Sequence, residues 1–566
     1  MLNNVRLTPL VACVLVCLAG AASAQTPASA PSAPLPIRVG VIGQRDLSLA
    51  EALSEALANN PDIAVARTTI EQATFGVGGA LGAFDPQFSL QSSLIRQVTP
   101  VASIIGGTAS GALTNNDLLV TPRVSGLSPI FGTSYQASFT ARRQTTDNSF
   151  TQLNPQFPSS LGLSITQPLF RGRRVDAARR QVEVAKRNQE LTEAQFRQRV
   201  MDVALQVEQA YWDLVFAREN LSVLSSGLDL NNRLVDANRR MVDQGVAAPI
   251  DVVEAETQRA NLRQNVFAAQ TTLTRVENAL KVLVAPDPSA GIWSAALAPT
   301  TSPKAPAAEM ALDIAVKAAL GSRPELQQLS ISSATNRTNT DFFRDQTRPQ
   351  VDLVGTYTGA GLAGRTFVSQ TGNPLTSSFG PLFERINTLS NAQGLPPIVV
   401  SGGGDSGVPA KLIGGVGQSF TNLFRQDFPS VEVGVRISLP FHDRTAEANL
   451  ASSLVEARRI ELQRRQVENA VAADVRNAMQ AVVSARATLE AATDATRLAD
   501  QQYASEQRKF EAGTSTVFFV LQRQSALINT RSQRARAEAD LSKGLAQLNR
   551  ATGRILDEHQ ITLSTK

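Results

Sequence analysis

The sequence predicts a mainly α-helical protein with membrane β-strands, built as a duplicated helix-strand-helix repeat. Three observations predict it. The chain is written twice: residues 465–489, RQVENAVAADVRNAMQAVVSARATL, overlay residues 197–221 without a gap at a constant offset of 268. Val203, Val207 and Arg218 meet Val471, Val475 and Arg486, and Pro61 and Pro86 answer to Pro324 and Pro349. Long stretches keep a coiled-coil seam, and between them short runs alternate apolar with polar. A long-period repeat makes any function the work of two similar copies of one unit.

An address precedes the repeats. Arg6 stands ahead of an apolar run, Leu10 to Ala19, which ends in Ala22-Ser23-Ala24, so residues 1–24 read as a cleaved secretory signal. Ten or so apolar residues fall short of the ~20 a membrane helix needs. Both cysteines, Cys13 and Cys17, lie in that leader, which leaves no thiol for a disulfide or a metal in the mature chain. Residues 25–46 and 286–309 read as Pro/Ala/Ser-rich linkers, bracketing a first repeat at 47–285 and a second at 310–556, with a C-terminal tail at 557–566. A formal charge of +5 on 566 residues makes no case for nucleic acid.

From Val200 to Leu228 the apolar positions step by 3 and 4 in alternation, with Arg, Glu and Gln between them. That is a coiled-coil seam. A helix from about Val175 to Asp243 would be about 100 Å long at ~1.5 Å per residue. Shorter helices are expected at Leu47 to Gln72 and Ile250 to Val284, and in the second half at Met310 to Asp345 and Val517 to Arg550. Two helices of about 35 residues match one of about 70, so the simplest packing sets each long helix beside two short ones in line.

Four strands are expected between the helices: around Phe88–Leu94, Leu161–Thr166, Val351–Tyr357 and Val431–Leu439, each with one apolar and one polar face. A membrane barrel with a wet lumen has that pattern, as does a half-buried soluble sheet. Long Gly/Ser/Asn-rich segments, 97–156 and 359–429, read as surface loops and favour the barrel. The alternating run Ser134 to Arg143 either lengthens the first hairpin or adds strands. Four strands cannot close in lipid, so several chains would have to share one barrel.

On these residues the chain resembles the TolC-type outer membrane efflux protein family. The carriers are LSLAEALSEALANNPDIAVAR (47–67), GAFDPQFSLQ (82–91), LSITQPLFRGRR (163–174), RRMVDQGVAAPIDVVEAE (239–256), and the second-half counterparts RPQVDL (348–353), ISLPF (437–441) and RKFEAGTSTVFFVLQ (508–522). The resemblance implies a homotrimer whose twelve-stranded outer-membrane barrel, four strands from each chain, continues as a long periplasmic α-helical tunnel. It further implies an exit duct for a tripartite efflux or type I secretion system, meeting an inner-membrane pump through a periplasmic adaptor protein. The alternative from another class is a periplasmic coiled-coil adaptor or scaffold without a barrel.

Gly245 and Gly513 each end a long helix, and Pro249 follows the first, which reads as a capped helix-to-helix turn. By resemblance these turns are the periplasmic tip where the adaptor docks, with Arg240 and Arg508 as contacts. The same arginines would serve equally to compensate a helix C-terminus. The family's second repeat carries carboxylates about six and nine residues past the tip glycine. Here those positions hold Phe519 and Gln522, while Asp251 and Glu254 occupy them in the first repeat. Phe518 and Phe519 either form an apolar constriction or one of them packs inside its hairpin. Arg171, Arg173 and Arg174, after the second expected strand, are a basic cluster that reads as a solvated face or as a contact for the phosphates of outer-membrane lipid. His442 and His559 lie far apart and no catalytic, metal or cofactor motif is present, so an enzyme is not expected.

Overall fold

The computed structural model describes residues 38–102, 111–148, 150–303, 310–367, 374–398 and 407–562. The expected signal at 1–24 and most of the first linker lie outside the described residues. Within them each half opens with a broken helix pair. α1 (Leu49–Asn59) starts in a capping box, Ser48 with Glu51, and stops at Asn60, which is extended because Pro61 follows. Asn60 in turn caps α2 (Pro61–Leu81) by accepting from the Asp62 N–H at 2.9 Å. The second half repeats the break at Arg323 and Pro324, between α5 (Leu312–Ser322) and α6 (Pro324–Gln346). The single helices expected over 47–72 and 310–345 are thus each divided at the matched proline.

The long helices are α3 (Ala177–Asp243, 67 residues) and α9 (Arg444–Glu511, 68 residues), followed by α4 (Pro249–Val284) and α10 (Val517–Ala551). α3 packs on α2 and α4, and α9 on α6 and α10, which is the one-beside-two arrangement. The largest core forms where α3 passes the ends of α1 and α4. There Val200, Val203, Val207, Tyr211 and Leu214 are buried against Leu53, Ala56, Leu280 and Val284.

Each of the two expected linkers meets a strand within its described residues. β1 (Gly43–Leu47) pairs in parallel with β6 (Ala295–Pro299), so residues taken as tethers form a small clasp on the flank of the core. Tyr211 donates to the Leu47 carbonyl at 3.1 Å and accepts from the Thr301 N–H at 3.0 Å. Lys281, 1% exposed, donates to the Ala295 carbonyl and pairs with Glu277 at 2.7 Å, which also takes Arg38 at 2.7 Å. A buried pair of this kind survives only because each charge has its partner and further hydrogen bonds. Pro and Ala content hid β6, AALAP, from composition, and β1, GQRDL, is too short to show alternation. The tail is also anchored: α11 (Ile555–Glu558) buries Ile555 and Leu556, and His559 meets Glu208 at 3.2 Å.

The main sheet has six strands, not four. β2 (Gln87–Pro100), β3 (Ala112–Leu127), β4 (Ser134–Thr146), β5 (Leu153–Pro168), β7 (Gln350–Thr366) and β8 (Phe428–Ser438) run antiparallel in the order β2-β3-β4-β5-β7-β8. The run Ser134 to Arg143 therefore adds strands, and 97–156 is mostly sheet where a surface loop was expected. The twelve-stranded count fails with it, because the first half contributes four strands and the second two. Between β7 and β8 stand α7 (Pro374–Ala392) and α8 (Val416–Phe424).

Register turns alternation into two surfaces. Phe88, Val124, Ala137, Leu163, Tyr357 and Val431 lie opposite one another in an unbroken apolar row across all six strands. The adjacent row on the other face is Gln87, Ser125, Gln136, Ser164, Thr356 and Glu432. Along β8 and just past it, Val431, Val433, Val435, Ile437, Leu439 and Phe441 are all exposed on the apolar side. Ten residues at ~3.3 Å, tilted by about 40°, give a belt about 25 Å tall, the height of a barrel's lipid-facing band. No helix among the described residues is long and apolar enough to cross a membrane. Val433→Arg should cost about 2–4 kcal/mol of folding free energy in lipid vesicles, and Thr356→Arg on the polar face less than about 1 kcal/mol. Urea titration of the reconstituted protein measures both.

Candidate functional site at the helical tip

The two helix-to-helix turns are the same device made twice. In the first, the Gly245 N–H donates to Val242 at 2.9 Å and the Val246 N–H to Met241 at 2.9 Å; in the second, Gly513 donates to Phe510 at 3.0 Å and Thr514 to Lys509 at 2.9 Å. Both are Schellman caps, with glycine at the left-handed position, φ 75° and 72°. A Cβ at either glycine would have no atom within 4 Å, so the backbone angle alone demands glycine. Pro249 then begins α4 at the position where a missing N–H costs least.

Arg240 and Arg508 both lie exposed on the last turn of their helices. Arg508 Nε donates to the Ala504 carbonyl at 3.3 Å, and Arg240 has no side-chain hydrogen bond or ion pair among the described residues, so dipole compensation has direct support only at Arg508. Asp251 accepts from the Ala248 N–H at 3.2 Å and closes the start of α4, which ties up one carboxylate oxygen as a cap. Glu254 is exposed and shares a groove between α4 and α10 with Val253, Phe518 and Gln522. The residues that pack inside the hairpins are Val517 and Leu521, against Val235 and Ala255. Phe518 and Phe519 therefore both stay outside, 55% and 47% exposed, edge to face at 5.6 Å. Phe518 turns into the groove and Phe519 away from it, since neighbours on a helix point about 100° apart. With Val246, Ile250 and Val253 also exposed, the tip carries apolar side chains among exposed Asp243, Gln244, Lys509 and Glu511.

One feature of the tip escaped the sequence reading. The 3–4 alternation of α3, carried past Leu228, lands on Asn231, Val235 and Asn238, and both asparagines are 0% exposed without a side-chain hydrogen-bond partner among the described residues. Each such group costs about 1–3 kcal/mol. Above them Gly227 lets α10 close in: a Cβ there would meet Ile528 Cδ1 at 2.4 Å, and Gln524 donates to the Gly227 carbonyl at 2.9 Å. Extending the heptads by ten residues was the signal that would have found this polar seam.

At the other end of α3 the basic cluster surrounds the turn from strand to helix. Arg173 lies over the Phe131 ring at 5.7 Å, and Arg171 and Arg174 make no ion pair among the described residues. Arg179 pairs with Asp176 at 2.7 Å and donates to the Gly172 carbonyl, while Arg180 covers Phe342 at 4.5 Å. Ile130, Phe131 and Phe170 are exposed beside them, at the lower rim of the apolar belt.

A family model described as outer membrane efflux protein matches residues 126–285 and 388–554, more than half of the chain and both of its halves. The chain belongs to the outer membrane efflux protein family. Among solved structures it is similar to the outer-membrane channel OprN, with 16% identity over 89% of each chain and a TM-score of 0.58. It is similar as well to the CmeC outer membrane channel of Campylobacter jejuni, with 14% identity over 89% of this chain and 85% of that one and a TM-score of 0.58. For the outer membrane protein VceC of Vibrio cholerae the figures are 14%, 89%, 96% and 0.56. No curated protein matches the sequence.

This efflux protein is thus an outer-membrane channel without enzymatic activity, its helices on the periplasmic side. The scaffold without a barrel falls on the same match and on the six-strand belt. Gly513→Val, forced into the left-handed region at about 1–2 kcal/mol, should speed amide exchange at Gly513 and Thr514 about tenfold, whereas Gly513→Asn should change it little. Hydrogen exchange on the purified channel reads the difference. At the same turn the Ser515 hydroxyl donates to Glu506, and with Lys509 at 3.6 Å it holds the carboxyl below its ordinary 4.5. A lowered folded pKa gives stability that is complete above about pH 4.5 and lost as pH falls through the folded value. Protease nicking at residues 512–516 should rise on acidification below that point, and Glu506→Gln should be nicked faster already at neutral pH with no further acid response.

Proposed function

We propose that this channel is a homotrimeric exit duct, which receives cargo at its periplasmic tip from an adaptor and an inner-membrane pump of a tripartite efflux or type I secretion system. The observation that carries the reading is a set of contacts present in one direction only. α6 and α10 of the second half pack on α3 of the first, and β7 pairs with β5. The mirrored partners, α2 and α4 toward α9 and β2 toward β8, have no such neighbour within the chain. α9 accordingly leaves Leu454, Val455, Leu462 and Val483 about half exposed or more, while α3 buries most of its seam. Copies arranged head to tail supply each missing partner and close a ring. Three copies of six strands make a barrel of 18.

The tip completes the duct. Its exposed Val246, Ile250, Phe518 and Phe519, with Arg240 and Arg508 at the rim, form the face offered to the adaptor. With Phe519 and Gln522 where the family places carboxylates, and Asp251 engaged as a cap, the resting aperture closes by apolar packing more than by an acidic ring. The buried asparagines hold unpaired polar groups in this part of α3, so an opening motion that hydrates them would cost correspondingly less there. Arg171, Arg173 and Arg174 face the phosphates of the inner-leaflet lipid.

Bilayer recording joined to mass measurement tests the reading. The expected result is a trimer in detergent, with small resting conductance that rises several-fold in Phe519→Ala and responds weakly to millimolar divalent cations. A monomer with a closed barrel sinks the assembly, and divalent block abolished by Asp251→Asn sinks the apolar aperture.

A further inference from the structure

The short helix α8 buries a mixed face and leaves apolar side chains outside. A surface helix ordinarily buries its apolar stripe and shows its polar one. Here Ser419, Asn422 and Leu423, 1%, 0% and 3% exposed, face the barrel wall, and two of the three are polar. The Ser419 hydroxyl meets that of Ser159 at 2.8 Å, and Asn422 Nδ2 donates to the carbonyls of Leu362 and Lys411 at 2.8 Å. Two glycines of β7 admit it: a Cβ on Gly361 would sit 2.2 Å from the Ser419 carbonyl oxygen, and one on Gly359 3.3 Å from Leu423.

At about 100° per residue, Val416, Phe420 and Phe424 fall along one flank, and Gly417, Thr421 and Arg425 along the next. Phe424 is 70% exposed and Val416 42%, while Phe420 rests edge-on against Phe139 at 5.3 Å. The face of the sheet that α8 covers is the apolar one. Phe139, Leu161 and Gly359 are opposite one another there, two rows below Arg143, the residue that ends the apolar run of β4. The belt reckoned upward from Phe441 reaches its ~25 Å at Val431, opposite Tyr357, so Gly359 and Gly361 stand at its upper rim.

We propose that α8 is an interfacial helix of the outer leaflet: it is fastened to the barrel wall by polar contacts and sets Val416, Phe420 and Phe424 among lipid acyl chains, with Thr421 and Arg425 toward water. Continuity with the apolar belt selects lipid as the occupant, since a lipid-facing wall has no other solvent at that level. The inference rests on the outer-membrane placement of the barrel, and its test separates the two.

The trimer is reconstituted in nanodiscs containing phospholipid that carries a nitroxide on the acyl chain, and a fluorophore is attached in turn at Phe424→Cys, Thr421→Cys and Val433→Cys. The two native cysteines fall in the expected leader, so labelling is site-specific. Quenching of the 424 label about threefold stronger than at 421, and close to that of the belt label at 433, is the expected result. Equal, weak quenching at 424 and 421 with strong quenching at 433 overturns the interfacial helix and leaves the barrel standing. Absence of quenching at 433 overturns both. Heat-modifiable migration of each variant confirms that the barrel has formed before the comparison is made.

Discussion

Backbone hydrogen bonding in lipid governs this molecule. A six-stranded sheet with an apolar row on one face and a polar row on the other has two open edges, β2 and β8, and an open edge is not tolerated inside a bilayer. The chain cannot resolve this alone, and the same incompleteness runs down its helices, where α9 lacks the neighbours that α3 possesses. Duplication is what makes the deficit solvable. Because each half resembles the other, in the proposed ring a surface that one half presents within the chain is presented again to the next copy, and barrel and helices close by a single set of contacts.

The charged groups follow this division of labour. Where the two halves meet, Arg550 joins Asp202 at 2.8 Å and Glu325 at 3.0 Å, and Arg323 adds two hydrogen bonds of 3.0 Å to Glu325. Burial works to raise the Glu325 carboxyl, yet the arginines outweigh it and hold it below its ordinary value. Four helices, α3, α6, α9 and α10, are tied at that knot, with Arg323 also near Asp474. Toward the tip Arg239 ties α3 to Glu256 of α4, beside the buried Asn231 and Asn238.

Much of this was legible in the sequence, for physical reasons that differ by element. The long helices, their tip glycines and the duplicated order of elements were readable because heptads and Schellman turns are local chemistry. β8 was readable from strict alternation in VEVGVRISL. β3 was not: ALTNNDLLVTPRVSGL mixes asparagine, proline and a Leu-Leu-Val run, and its apolar face emerges only when Phe88 and Ala137 are placed opposite Val124. β1 and β6 escaped because five-residue strands, GQRDL and AALAP, are too short to carry a pattern of their own; the pairing partner lies some 250 residues away. Of the residues singled out near the aperture, the glycines were fixed by backbone angle alone, whereas the role of Asp251 depended on a cap that spacing does not reveal.

The added hairpin, β3 with β4, stands in one half only, while the helices of the two halves remain near copies. Diameter grows roughly in proportion to strand number, so this insertion widens the wall by about half relative to four strands per chain. The hairpin leaves and re-enters the sheet at the same end, the one away from the long helices. Calibre at the cell surface and calibre at the periplasmic entrance are therefore separately adjustable quantities: the first by grafting strands into one half, the second only by changes that both halves must accommodate together.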